Sequence, residues 1–205
     1  MKLGTMRHAL ILGAFCLGFG VILASTENFA AGDIADRAME DRLASLSQVL
    51  PSERYDNNPL QSTLTLADEQ GKQVVVYRAL QQGRVVGFAY EVRGSGYAGE
   101  IRLMMGVDVQ GRIFGVRVLS HKETPGLGDK MEVKKSRWIE RFAGRSLTDP
   151  LPERWKVRKD GGDFDQFTGA TITPRAVVGA VKRGLDFFAA NQARLLNAPS
   201  SEETP

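Results

Sequence analysis

The stretch DFDQFTGATITPRAVV, Asp163–Val178, divides the chain into two kinds of pattern. Upstream of it lie runs that read as strands, and downstream Val177, Val178, Val181, Leu185 and Phe188 recur on one face of a helix. Thr173 is a good N-cap and Pro174 suits a first helical position, so a final helix is expected from near Pro174. Such a helix start carries free N–H groups and the positive end of the dipole. Gly169 and Ala170 leave one side of the Thr171 hydroxyl without bulk, and Arg175 and Lys159 offer positive charge nearby. A phosphate held noncovalently, a covalent modification of Thr171, and a plain strand end before a capped helix all fit these residues.

Working outward, QVVVYRAL (Gln73–Leu80), RVVGFAYEVRG (Arg84–Gly94) and IRLMMGVDVQGRIFGVRVLS (Ile101–Ser120) read as strands. Gln110-Gly111 marks a hairpin turn between Leu103–Val109 and Arg112–Leu119. A mainly antiparallel sheet with flanking helices, an α+β fold, follows. Trp138, Ile139 and Phe142 suggest a short helix within Glu132–Gly144, and Trp155–Val157 a further strand. The sequence shows neither an internal repeat nor a second domain.

The chain has 205 residues, 42% of them hydrophobic and 25% charged, which suits one folded domain with an appendage. Its 27 Lys and Arg against 24 Asp and Glu are spread along the chain without a dense basic block, so nucleic acid is not an expected partner. A single cysteine, Cys16, excludes an internal disulfide framework and a Cys-built zinc or iron–sulfur site. Any redox chemistry therefore needs a cofactor held another way. DGGDFD, Asp160–Asp165, lacks the alternating ligands and distant Glu of a calcium loop, and His8 and His121 are too isolated to suggest a metal site.

HALILGAFCLGFGVILA, His8–Ala24, is 17 residues without a charge, and Ser25 and Thr26 extend it to the length of a short transmembrane helix. Lys2 and Arg7 precede it, and Glu27, Asp33 and Asp36 follow, so the positive-inside bias leaves the N-terminus in the cytoplasm. No clean small-x-small cleavage site follows, which favours an uncleaved anchor over a signal peptide. Ala14 with Gly18, and Gly20 with Ala24, give small residues four apart that suit contact with another membrane helix. The expected organisation is a cytoplasmic N-terminus (1–7), an anchor (8–26), a helical connector (27–70), a domain (71–195) and a disordered tail (196–205).

Three loops stand out from the sheet and helix pattern. RGSGYAGE (Arg93–Glu100) sets three glycines around Tyr97. SHKETPGLGDK (Ser120–Lys130) holds Glu123, Thr124, Gly126, Leu127, Gly128 and Lys130. The third is the opening stretch. Glycines at this density let a backbone approach a ligand, and they also mark ordinary turns.

DQFTGAT, Asp165–Thr171, matches the Asp-x-x-Ser/Thr-Gly-Ala-Thr pattern by which a flavin transferase identifies proteins that receive covalent FMN. HKETPGLG and GSGYAGEI resemble the other signatures of the FMN-binding domain family. From the short N-terminus to the final helix, the chain resembles the G subunits of Rnf-type ion-translocating electron-transport complexes. The C subunits of sodium-translocating NADH:quinone reductases are the related family outside them. The resemblance implies a membrane-anchored flavoprotein of the bacterial inner membrane, its domain periplasmic, that relays electrons between partner subunits and has no turnover alone. It implies FMN joined by a phosphodiester to Thr171, with FAD as the transferase's donor, and it makes Asp165, Thr168 and Gly169 the transferase's recognition residues. Tyr97, Leu127, Gly126 and Gly128 are then candidates for packing round the flavin, and Glu123, Thr124 and Lys130 for polar contacts. An anchored module holding FMN or another phosphate ligand noncovalently, for sensing or regulation, is the alternative.

Overall fold

The computed structural model describes residues 7–8, 10–20 and 43–197. The chain divides into two compact units, one up to Leu43 and one from Ala44 onward. In the first, residues 7–8 and 10–20 are helical, with Leu10, Leu12, Phe15, Leu17 and Phe19 exposed. Among the described residues no helix is long and apolar enough to cross a membrane. Residues 9 and 21–26 of the expected anchor, 27–42 of the connector and 198–205 of the tail lie outside the described residues.

The second unit is built on five antiparallel strands in sequence order: β1 (Thr63–Ala67), β2 (Gln73–Gln81), β3 (Arg84–Ser95), β4 (Glu100–Asp108) and β5 (Ile113–Ser120). β2 to β5 fall where their apolar runs predict them. β1 lies inside the stretch read as a helical connector. Its turn carries a sequence signal that also occurs at the β4–β5 hairpin. In DEQGK the Asp68 carboxylate accepts the N–H groups of Gln70 and Lys72, and in DVQGR Asp108 accepts those of Gln110 and Arg112. Gly71 and Gly111 supply the positive φ, 76° and 81°, that each turn needs. β2 and β3 are joined through Gln82 and Gly83, both with positive φ, as a two-residue primed turn requires.

The long helix α1 (Ile172–Asn197) covers one face of the sheet. Its Val177, Val178, Val181, Leu185 and Phe188 are all buried, as their spacing predicts. Phe88 packs on Phe188 and Tyr90 on Phe187, and the Tyr90 hydroxyl donates to the Gly184 carbonyl at 2.8 Å. Leu46, Val49 and Leu50 cover the opposite face together with Ala79, Ala89 and Met104. There the Val49 carbonyl lies where a Cβ on Gly106 would stand, so only glycine admits the contact. Both faces therefore carry buried apolar side chains, and segment 44–50 is part of the domain's core.

Between β5 and α1 the chain forms short 3₁₀ turns. Where the sequence predicts a short helix in Glu132–Gly144, the structure has one such turn, Trp138–Phe142. Where it predicts a strand at Trp155–Val157, Val157 makes only an isolated parallel bridge to Phe164. The physical reason is aromatic packing. Trp138, Phe142, Trp155, Phe164 and Phe167 stack into one buried cluster, with Phe142 and Phe164 centroids 4.8 Å apart. Ring burial fixes the backbone here in place of a hydrogen-bonded ladder.

Candidate functional site

The cluster positions the third loop. Phe164 and Phe167 point into it, and the Trp138 indole N–H donates to the Asp165 carbonyl at 2.8 Å. The Asp165 carboxylate pairs with Arg141 and, at 3.1 Å, with Arg158. Held at this end, the chain turns at Thr168-Gly169, where the Ala170 N–H donates to the Phe167 carbonyl at 3.1 Å. Gly169 has φ 81°, a value other residues adopt only under strain. A Cβ there would meet Leu127 Cδ2 at an ordinary 3.6 Å, so the demand for glycine is set by backbone conformation more than by space.

Thr171 follows, half-buried, directly before the first residue of α1. Its carbonyl receives the Arg175 N–H at 3.4 Å. The helix thus begins at Ile172, two residues before Pro174, and Thr173 is not its N-cap. Thr173 is fully buried within the first turn, and its hydroxyl donates to the Glu123 carboxylate. The N-cap expectation failed because this tertiary bond takes the Thr173 hydroxyl away from the backbone.

Glu123 is where the three loops meet. One carboxylate oxygen accepts the Ala98 N–H of the Tyr97 loop at 2.9 Å, and the other accepts from Thr173. Its own N–H donates to His121 Nδ1 at 3.0 Å, so the His121 proton sits on Nε2, which faces Glu132 Oε1 at 2.8 Å. A Cβ on Gly96 would stand 2.5 Å from Glu123 Oε1, and one on Gly128 would stand 2.7 Å from Glu123 Cβ and 2.9 Å from Thr173 Oγ1. The Leu127 and Gly128 N–H groups close the loop on the Thr124 carbonyl. Tyr97, Leu127 and Ile172 expose 74%, 42% and 46% of their surface, a large amount for side chains of this size.

Two carboxylates are held in their charged form. The Gly126 backbone N–H, with Lys135 beside it, holds buried Asp129 below the usual carboxylate range. Its Oδ1 has no hydrogen-bond partner among the described residues. Arg175 grips Asp160 through two bonds of 2.6 Å and lowers that carboxyl in the same way. The sequence suggests that Arg175 faces a phosphate, whereas here it is engaged by Asp160. Arg175 and Gly179, four apart on α1, line a shallow depression of about 450 Å³ together with Trp155, Lys156, Val157 and Asp160.

The structure brings Gly128, Leu127 and Glu123 together with Ala98, Gly169 and Thr173. Thr124 and Thr168 are exposed at turns, and Lys130 serves the fold through its carbonyl, which accepts the Ser136 hydroxyl at 2.6 Å. Asp163 and Asp165 of the acidic run are paired with arginines, Asp163 with Arg154. Sequence reasoning gave His121 and Ile172 no place at the site, and it read Thr173 as the helix N-cap and not as a partner of Glu123. The ETPGLG glycines were the available signal for the buried carboxylate, since they mark close packing as well as turns.

A family model described as FMN-binding domain matches residues 96–186, a span that begins inside the first loop, before Tyr97, and takes in the other two. The G subunit of the ion-translocating oxidoreductase complex of Cereibacter sphaeroides is 55% identical over 195 residues, covering 95% of this chain and 89% of the relative. The G subunit of Stutzerimonas stutzeri is 46% identical, over 96% of this chain and 85% of its own. That of Shewanella loihica is 42% identical, over 99% and 98%. The crystal structure of Shewanella oneidensis NqrC shares the fold with a TM-score of 0.50 at 22% identity, over 70% of this chain and 72% of that one. With such identity along nearly its whole length, the chain belongs to the family of G subunits of ion-translocating oxidoreductase complexes.

Proposed function

We propose that this chain is the electron-carrying flavoprotein subunit of a redox-driven ion translocase, with FMN joined to Thr171 by a phosphodiester. The observation that carries the reading is a half-buried threonine at the start of a 26-residue helix, on a site where Tyr97, Leu127 and Ile172 are exposed. These residues fit the group. The helix N-terminus suits the phosphate, and the apolar side chains suit a flat aromatic ring.

When bound, FMN supplies one- and two-electron exchange. Attachment needs a donor and a separate transferase. The Thr171 oxygen forms a bond to the flavin-side phosphorus of FAD, the bond between the two phosphorus groups breaks, AMP leaves, and the hydroxyl proton is released. Asp165, Thr168 and Gly169 present the turn to the transferase. The backbone N–H groups at the start of α1 stabilise the phosphodiester charge, and they do so more than Arg175, whose guanidinium Asp160 already holds. Tyr97, Leu127 and Ile172, exposed in the protein, would shield a bound flavin from water. The chain works within a membrane complex, anchored by its N-terminal segment with the domain on the periplasmic side, and its redox partners are other subunits.

Thr171→Ala tests this directly. Co-produced with a flavin transferase, the variant is expected to lose all colour that survives denaturation, and colour retained after unfolding would place the attachment elsewhere. Noncovalent FMN, the alternative, would be released from both proteins on unfolding.

A further inference from the structure

We infer that Glu123 is the positioning residue of this site, acting through Thr173 and Ala98 to hold the Tyr97 loop, the Leu127 loop and the first turn of α1 in one fixed arrangement. This deepens the FMN reading and rests on it.

Glu123 is only 5% exposed, and among the described residues its carboxylate is stabilised by hydrogen bonds without a lysine or arginine partner. A buried carboxylate in that condition costs stability unless its donors are well placed. Both oxygens are engaged inside the protein, so its influence on a bound flavin is indirect. The donors come from two separate parts of the chain, 25 residues before it and 50 after it. Each bond therefore closes a long loop, and one carboxylate joins three segments.

Two further observations point the same way. Gly96 and Gly128 admit the close approach of the Glu123 side chain: a Cβ on Gly96 would stand 2.5 Å from Glu123 Oε1 and 2.7 Å from Ile101 Cδ1, and one on Gly128 would stand 2.7 Å from Glu123 Cβ and 2.9 Å from Thr173 Oγ1. The main chain at Glu123 is fixed independently, because His121 accepts its N–H and is steadied by Glu132. Glu132 is partly exposed, so the network runs from the surface through His121 and Glu123 to Thr173, two residues from Thr171. Tyr97 and Leu127 sit on the segments so joined, next to Ala98 and Gly128. Releasing the carboxylate frees both loops from the arrangement that holds them to the helix start.

The test is amide hydrogen exchange on the full-length protein made without the transferase, with Glu123→Ala, Glu123→Gln and Thr173→Val. Glu123→Ala should speed exchange about tenfold or more at residues 96–99 and 172–175 and leave β3 and β4 unchanged. Glu123→Gln should retain most protection, because its amide oxygen still accepts the Ala98 N–H and the Thr173 hydroxyl can turn to accept from the amide. Thr173→Val should speed exchange at 96–99 as well as at its own turn, since the two share one carboxylate. Should Glu123→Ala fail to fold, Thr173→Val alone decides. Wild-type exchange at 96–99 in Thr173→Val, or equal losses in Glu123→Ala and Glu123→Gln, would overturn the proposal. In flavin-loaded material the visible-region circular dichroism should change in Glu123→Ala and return in Glu123→Gln, and an unchanged spectrum in Glu123→Ala would also overturn it. Intact mass of the wild-type sample separates this from the FMN reading, because exchange in flavin-free protein does not depend on FMN.

Discussion

The indole N–H of Trp138 donates to the backbone carbonyl of Asp165 at 2.8 Å, joining residues 27 apart. This bond fixes the start of the turn that presents Thr171, while the Trp138 ring packs edge-on against Phe167 at 5.0 Å. The Thr168-Gly169 turn is thus held by an aromatic cluster to which Trp138, Phe142 and Trp155 come from earlier in the chain.

Trp138→Phe keeps most of the apolar contact and removes the donor, leaving the Asp165 carbonyl unpaired. The expected loss is about 1–2 kcal/mol, which for a domain of this size lowers Tm by about 2–8 °C. Thermal unfolding measures it. Flavin attachment should slow by more than the stability loss explains, because Asp165 moves with its carbonyl.

At Gly169 the φ of 81° is the constraint. Gly169→Ala is expected to cost about 1 kcal/mol or somewhat more, through conformational strain without a clash. Gly106→Ala should be far worse, because the new methyl would overlap the Val49 carbonyl. Denaturant titration of the two proteins should rank them in that order, and a Gly106→Ala protein as stable as wild type would contradict the packing of segment 44–50 on the sheet.

The sequence makes β2 to β5 and the helix plain because their side chains alternate or recur on faces that are buried as the pattern demands. It conceals what tertiary contact decides. Thr173 has the chemistry of an N-cap, and only the fold reveals a carboxylate waiting 50 residues upstream. The aromatic segment 138–167 has strand and helix propensities that ring stacking overrides. β1 was legible in principle, since DEQGK repeats the turn chemistry of DVQGR. At the site, the turn glycines Gly126 and Gly169 could be read from the residues, whereas the burial of Glu123 and the pairing of Arg175 with Asp160 could not.

Acid should weaken the domain through Asp160. Its hydrogen bonds to Arg175 depress its pKa in the folded state, so the stability it contributes is present above the unfolded carboxylate value of about 3.9 and is lost as pH falls through the lower folded value. The raised pKa of Arg175 has no effect in this range. Melting curves from pH 7 to pH 2 should show wild type more stable than Asp160→Asn at neutral pH, with the gap closing below about pH 4. A gap that stayed constant would show that the pair contributes nothing through charge. High salt should narrow the same gap at pH 7.

Exposed Ile172 and Leu127 predict an effect on the flavin more than on the fold. Ile172→Ser removes apolar surface already 46% exposed, so stability should change by under about 1 kcal/mol. The fluorescence and midpoint potential of attached flavin should nevertheless shift as water reaches the ring. Identical spectra in wild type and Ile172→Ser would move the ring away from this side of Thr171.

The most direct measurement is peptide sequencing by mass spectrometry on the full-length protein, produced in a host that supplies the flavin transferase and denatured before digestion. The account predicts the FMN mass on Thr171 with Thr168 and Thr173 unmodified. A bare Thr171 in transferase-treated material, or FMN on Thr173, whose hydroxyl is buried against Glu123, would contradict it.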